Sequence, residues 1–239
     1  MTESTGAGLS PAGHGQVAFE DAEYHHAVVD LLGAIAYGEL SAFERLVDDA
    51  KLAPSLRDQV EMCAMATSEF GHVSRLHERL VRLGADPFEA MAPFEAAIDL
   101  FHAHTAPADW YEGLIKAFVG DGMAADFYRE IAAYLDADTR DLIIASLDDS
   151  GQASFAVRHI RQAIAADPAL AGRLALWGRR LMGEALTQAQ RVTAERDALT
   201  ALLAGGIDRP GLDLAAIGRM FARITERHAR RMAELGLSA

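Results

Sequence analysis

Apolar residues recur along the chain at steps of three and four, and no run alternates with period two, so the pattern predicts helix nearly throughout. A first helix is expected over about 20–49, ending before Pro54, and a second over about 55–83. Leu83-Gly84-Ala85-Asp86-Pro87 closes the second, because glycine fits a helix end and proline cannot continue the helix. The connection 84–108 carries a short helical piece around Phe88–His102. A third helix over about 109–135 takes Asp109 as its N-cap, and a fourth over about 138–165 stops near Asp167-Pro168. A fifth spans roughly 169–204, and after Gly205-Gly206-Ile207-Asp208-Arg209-Pro210-Gly211 a last amphipathic helix runs over about 212–235. Short loops after helices 1 and 3 imply two antiparallel hairpins, and the 25 residues from 84 to 108 are enough to cross the length of a bundle. The fold class is therefore all-α: a four-helix bundle over 19–166 with a long crossover between helices 2 and 3. Two accessory C-terminal helices, 167–239, belong to the same domain.

Each apolar stripe is interrupted once, near its middle. On helix 1, Glu39 sits within Val28, Leu31, Ile35, Phe43 and Leu46. On helix 2, Glu69 and His72 sit within Met62, Met65 and Leu76. Helix 3 carries Asp121 among Leu114, Phe118, Tyr128 and Ile131, and helix 4 carries Asp149 and Gln152 among Leu142, Ala145, Ala156 and Ile160. At 1.5 Å per residue, the members of each hairpin lie at the same height to within roughly one turn. Carboxylates converging in one core raise each other's pKa and call for cations, and carboxylates with imidazole suit iron or manganese better than zinc.

Composition narrows the class. The 239 residues are 51% hydrophobic, which excludes a mainly disordered chain. No run approaches the ~20 apolar residues of a membrane span, and the polar first 18 residues read as a disordered arm rather than a leader, so a soluble cytoplasmic protein is expected. One cysteine, Cys63, excludes cysteine-based metal sites within one chain. The net charge of −13 hides an asymmetry: residues 1–150 hold 9 Lys+Arg against 27 Asp+Glu, and residues 151–239 hold 13 against 8. On the last helix Arg219, Arg223, Arg227 and Arg230 share one face beside Arg231, a strip suited either to RNA or, better, to an acidic surface of the first half or of a second subunit.

Lone acid, acid-x-x-His, lone acid, acid-x-x-(Gln), on four helices with a crossover between the second and third, resembles the ferritin-like di-iron carboxylate proteins. Within that superfamily the chain looks most like the tRNA hydroxylase (MiaE)-like branch, which adds C-terminal helices. The resemblance covers roughly residues 20–165, with Ser68-Glu69-Phe70-Gly71-His72 supplying one Glu-x-x-His. It implies metal ligands Glu39, Glu69 (bridging), His72, Asp121, Asp149 and Gln152. Two aspartates replace glutamates and Gln152 replaces a histidine, which weakens the second metal position. The implied cofactor is iron, two per chain, or iron with manganese. The implied activity is O2-dependent hydroxylation or oxidation, with an electron donor, a homodimer formed through helices, and tRNA as a partner that the acidic charge disfavours. Two other classes stay open: a non-enzymatic helical protein for oligomerisation or partner binding, and metal handling or peroxide consumption. Outside the stripes, His102 and His104 read as residues of a solvated loop, His25 and His26 as surface or packing residues, and His77 and His159 as core-edge histidines. The glycines of Gly120-Asp121-Gly122 mark a close approach or a bulge.

Overall fold

The structure, a computed structural model, describes residues 22–147, 152–204 and 214–239. The expected N-terminal arm, 1–18, lies outside them. α1 (Ala22–Ala50) and α2 (Leu56–Arg82) form the first hairpin. Ser55 caps α2, accepting from Asp58 N at 3.2 Å, and Gly84, at φ +77°, ends it. The crossover is itself helical: α3 (Pro87–Met91), a 3-10 turn (Ala92–Phe94) and α4 (Glu95–His104). Asp86 caps α3 ahead of its N1 proline. α5 (Trp110–Ala132) begins at Asp109, whose side chain accepts from Glu112 N at 3.0 Å. α6 (Ala137–Ser146), α7 (Gln152–Ala166), α8 (Leu170–Glu195), α9 (Asp197–Ala204) and α10 (Leu214–Glu234) complete the chain.

Two expectations need correction. The expected fourth helix ends as α6 at Ser146 and resumes as α7 at Gln152, so its first half does not keep the single stripe. Ile143 and Ser146 are buried there, whereas Ala145 is exposed. The expected fifth helix is broken at Arg196, which leaves helical geometry at φ −128°, ψ 86°. Its guanidinium grips the buried Asp30 of α1 in a bidentate pair of 2.5 and 3.0 Å. That long-range pair turns α9 back over α1.

The C-terminal helices pack on the bundle: α8 and α10 both lie against α5. Three arginines of the basic strip are engaged within the chain. Arg223 pairs with Glu130 at 2.6 Å, Arg227 with Glu130 at 3.1 Å, and Arg231 with Asp126 at 2.5 Å. Gly122 permits this approach, since a Cβ there would meet Arg231 Nε at 2.6 Å; α5 shows no bulge. No helix among the described residues is long and apolar enough to cross a membrane.

The crossover is seated on α1 by a second glycine. A Cβ at Gly33 would lie 2.0 Å from the carbonyl oxygen of Ala90. Because backbone of α3 must move to admit it, Gly33→Ala should cost about 1–3 kcal/mol and lower the melting temperature by roughly 2–12 °C. An unchanged melting curve would show that α3 is not held against α1 in this way.

Candidate metal centre

Glu39 comes from the middle of α1, Glu69 and His72 from one face of α2, three residues apart. His72 Nδ1 lies 3.2 Å from Glu39 Oε2 and 3.5 Å from Glu69 Oε2. One ligand atom from each of the three residues falls within 4.8 Å of the others. The side chains are 8–11% exposed, so this is a buried cluster. Asp121 of α5 faces the same cavity of about 410 Å³, and its Oδ2 is buried with no hydrogen-bond partner among the described residues. The Tyr128 hydroxyl lies over Gly38, at 3.4 Å from where a Cβ would stand.

The electrostatics follow from crowding acids out of water. Burial raises Glu39 to about 8; the Glu69 carboxylate adds to this through a hydrogen bond and its charge, while His72 opposes it. His72 is raised to about 9 by its hydrogen bonds with Glu39 and Glu69. Asp121 is pushed well above the usual carboxylate range by burial and by the charges of Glu69 and Glu39. Burial and the same acids also hold the Tyr128 phenol protonated.

This donor set fits a metal. Three carboxyls and an imidazole converge in one cavity, one carboxyl oxygen has no hydrogen-bond partner among the described residues, and burial favours the protonated acids where a cation would otherwise neutralise them. Oxygen donors with a single imidazole match iron or manganese, and no thiol is near.

Of the six sequence candidates, Glu39, Glu69, His72 and Asp121 are thus brought to one cavity. Asp149 lies outside the described residues. Gln152 opens α7, and its side chain also lies outside them. The flanking residues Ser146, Leu147 and Ala153 all line the cavity, so the end of α6 and the first turn of α7 reach it. Sequence reasoning missed four further cavity residues: Arg45, Asp49, His102 and Lys116. His102 is not in a solvated loop but on α4, with Nδ1 buried and unpartnered; His104, by contrast, is exposed and bonds Glu184 at 2.9 Å. His77 and His159 sit at core edges, against Met91 Sδ at 3.0 Å and Asp58 at 3.2 Å.

A crossover bundle with a buried carboxylate–histidine cluster defines a ferritin-like protein. Residues 22–206 match the family described as "Ferritin-like domain, actinomycetes", and the chain belongs to that family. Among solved structures it is similar to "Protein 19 with aldehyde deformylating oxidase activity from Synechococcus", at 21% identity and a TM-score of 0.69, covering 92% of this chain and 94% of that one. No curated protein matches the chain.

Proposed function

We propose that the protein is a non-haem di-iron (or iron–manganese) oxidase or hydroxylase that uses O2 on an apolar small molecule. The convergence of Glu39, Glu69, His72 and Asp121 on one cavity carries this reading. Glu39, Glu69, His72 and Asp121 would hold the metal, with Asp149 and Gln152 as further candidates. Bound there, a redox metal supplies the electrons for O2 reduction.

The chain's own residues prepare that chemistry. Glu39 and Glu69 place two largely buried carboxyl groups on the cavity wall, where they would give up their protons to hold the metal. Burial, with the charges of Glu39 and Asp121, keeps the Tyr128 phenol protonated on the cavity wall, its hydroxyl over Gly38. A second cavity of about 260 Å³ adjoins the first through Ile98, Phe101, Gly120, Ala124 and Tyr128, and its walls are almost wholly apolar. An engineered apolar cavity of about 150 Å³ already accepts benzene, so this one has room for a hydrocarbon group. The activity named for the Synechococcus neighbour supports an oxidase reading by analogy of fold. A small substrate is preferred to tRNA because Arg223, Arg227 and Arg231 are engaged with Glu130 and Asp126.

Anaerobic loading with Fe(II), followed by elemental analysis and O2-uptake measurement, tests this. The wild type should bind close to two irons per chain and consume O2 when reduced, and Glu69→Ala should lose both. Failure of the folded wild type to bind iron would overturn the enzyme reading and leave a structural or interaction protein.

A further inference from the structure

The far end of the main cavity holds charged groups that the carboxylate–histidine cluster does not use. Arg45 and Asp49 follow Glu39 on α1 by six and ten residues, hence ~9 and ~15 Å along the axis. Lys116 enters from α5 and His102 from α4, and all four line the cavity. Lys116 is only 5% exposed, and its one hydrogen bond among the described residues goes to Thr105 O at 2.9 Å. His102 Nδ1 and Arg45 Nε are buried with no hydrogen-bond partner among the described residues. The terminal Nη2 of Arg45 reaches Glu44 and Asp48 only at 3.7 Å.

Buried polar groups left unsatisfied are costly. At this cavity end His102 Nδ1 and Arg45 Nε carry that deficit among the described residues, and the Lys116 ammonium beside them spends one donor on Thr105 O. Guanidinium, ammonium and imidazole are the groups that recognise an oxyanion. Asp49 is the one acid among the described residues that lines this end of the cavity beside the cations Arg45 and Lys116, and the net positive charge of one matches a monoanion such as a carboxylate rather than a doubly charged phosphate.

The apolar cavity lies on the other side of the cluster. Leu31 and Ala34, which line it, precede Glu39 on α1 by eight and five residues. Along α1 the order is therefore hydrocarbon space, carboxylate–histidine cluster, cationic end.

We propose that Arg45, His102 and Lys116 form the subsite for the carboxylate head of an amphipathic substrate whose hydrocarbon chain passes the Glu39–Glu69–His72 cluster and ends in the apolar cavity. Calling the bound molecule a substrate rests on the oxidase reading; the head-group subsite itself needs no metal. A span of ~9 Å corresponds to roughly six C–C bonds, so the geometry presents in-chain carbons, not the head group, to the cluster.

Calorimetric titration of the metal-free full-length protein with octanoate, octanol and octyl phosphate tests this. Octanoate should bind about ten- to a hundredfold more tightly than octanol. Lys116→Met and Arg45→Met should each abolish most of that advantage while leaving octanol binding unchanged, and Glu69→Ala should leave octanoate binding intact. Circular dichroism checks folding; should Lys116→Met not fold, Arg45→Met, at a half-exposed position, reads the same subsite. Equal affinity for octanoate and octanol, tighter binding of octyl phosphate than of octanoate, or loss in Glu69→Ala but not in Arg45→Met would each overturn the proposal. The two readings fail separately. A protein that loads iron but ignores octanoate refutes the head-group subsite alone. One that binds octanoate as expected but never loads iron refutes the oxidase alone.

Discussion

Loading the metal-free protein with Fe(II) at pH 7 should release at least two protons per chain, and the apparent affinity should rise about a hundredfold from pH 6 to pH 7. The protons held by the cluster without metal set both numbers. Glu39, raised to about 8, and His72, raised to about 9, are both protonated at neutral pH. A carboxylate or imidazole must give up its proton to ligate, so each displaced proton contributes about one decade of affinity per pH unit. Two such groups give two decades, and Asp121, also held well above its ordinary range, adds a third proton if it ligates. A competitive chelator titration across pH, with an indicator dye for proton release, measures both quantities. Glu39→Gln should lower the proton count by one. Affinity independent of pH, with no protons released, would place the metal away from Glu39 and His72.

The parts of this site that were legible in the sequence are those in which one helix's own periodicity carries the message. Glu39, Glu69, His72 and Asp121 each fall on an apolar stripe, so burial and convergence follow once the helices pair. The helix ends at Ser55, Gly84, Asp86-Pro87 and Asp109 were equally local, because caps and glycine turns act over three or four residues. What escaped depends on partners distant in sequence. Lys116 sits within Leu114-Ile115-Lys116-Ala117-Phe118, and no periodic rule says that its ammonium meets a carbonyl of the crossover. Asp49 is buried because α5 comes close at Gly113, where a Cβ would lie 3.1 Å from the Asp49 carboxyl. The break at Arg196 is held by Asp30, 166 residues away. The end of α6 at Ser146 did have a local signal in the letters that follow it, since Asp, Ser and Gly are weak helix formers, and a continuous stripe drawn past Ser146 misassigned Ala145 to the buried face. The C-terminal helices could be read only as accessory, yet Met182, Leu202, Phe221 and Ile224 complete the apolar cavity.

The metal-free protein should lose stability as pH rises from 5 to 9, and Asp121→Asn should recover part of the loss. A group whose folded pKa is raised contributes stability that is fully present below its unfolded pKa and disappears as pH climbs through the folded value. Glu39 moves from 4.5 to about 8 and His72 from 6.5 to about 9, so their windows together cover this range; Asp121 moves in the same direction. The physical cause is common to all three. Raising the pH strips protons from a cavity that then holds several negative oxygens in low dielectric, with no water to solvate them. A pKa displaced by one pH unit on folding corresponds to about 1.4 kcal/mol, so displacements of about 3.5 and 2.5 pH units give a loss of several kcal/mol, or more than about 10 °C in melting temperature, across the window. Asparagine matches the protonated acid in shape but never ionises. Asp121→Asn should therefore melt like the wild type at pH 5 and several degrees higher at pH 9. Thermal melts in chelator at the two pH values measure this, and Mn(II) should flatten the wild-type slope, because the cation replaces the lost protons. A melting temperature that does not change with pH, or a steeper fall in Asp121→Asn, would mean that the four side chains do not share one water-poor cavity. In this bundle the residues that suit the centre to a metal are thus the ones that make the protein least stable without it, and the sign of the pH slope reads that conflict directly.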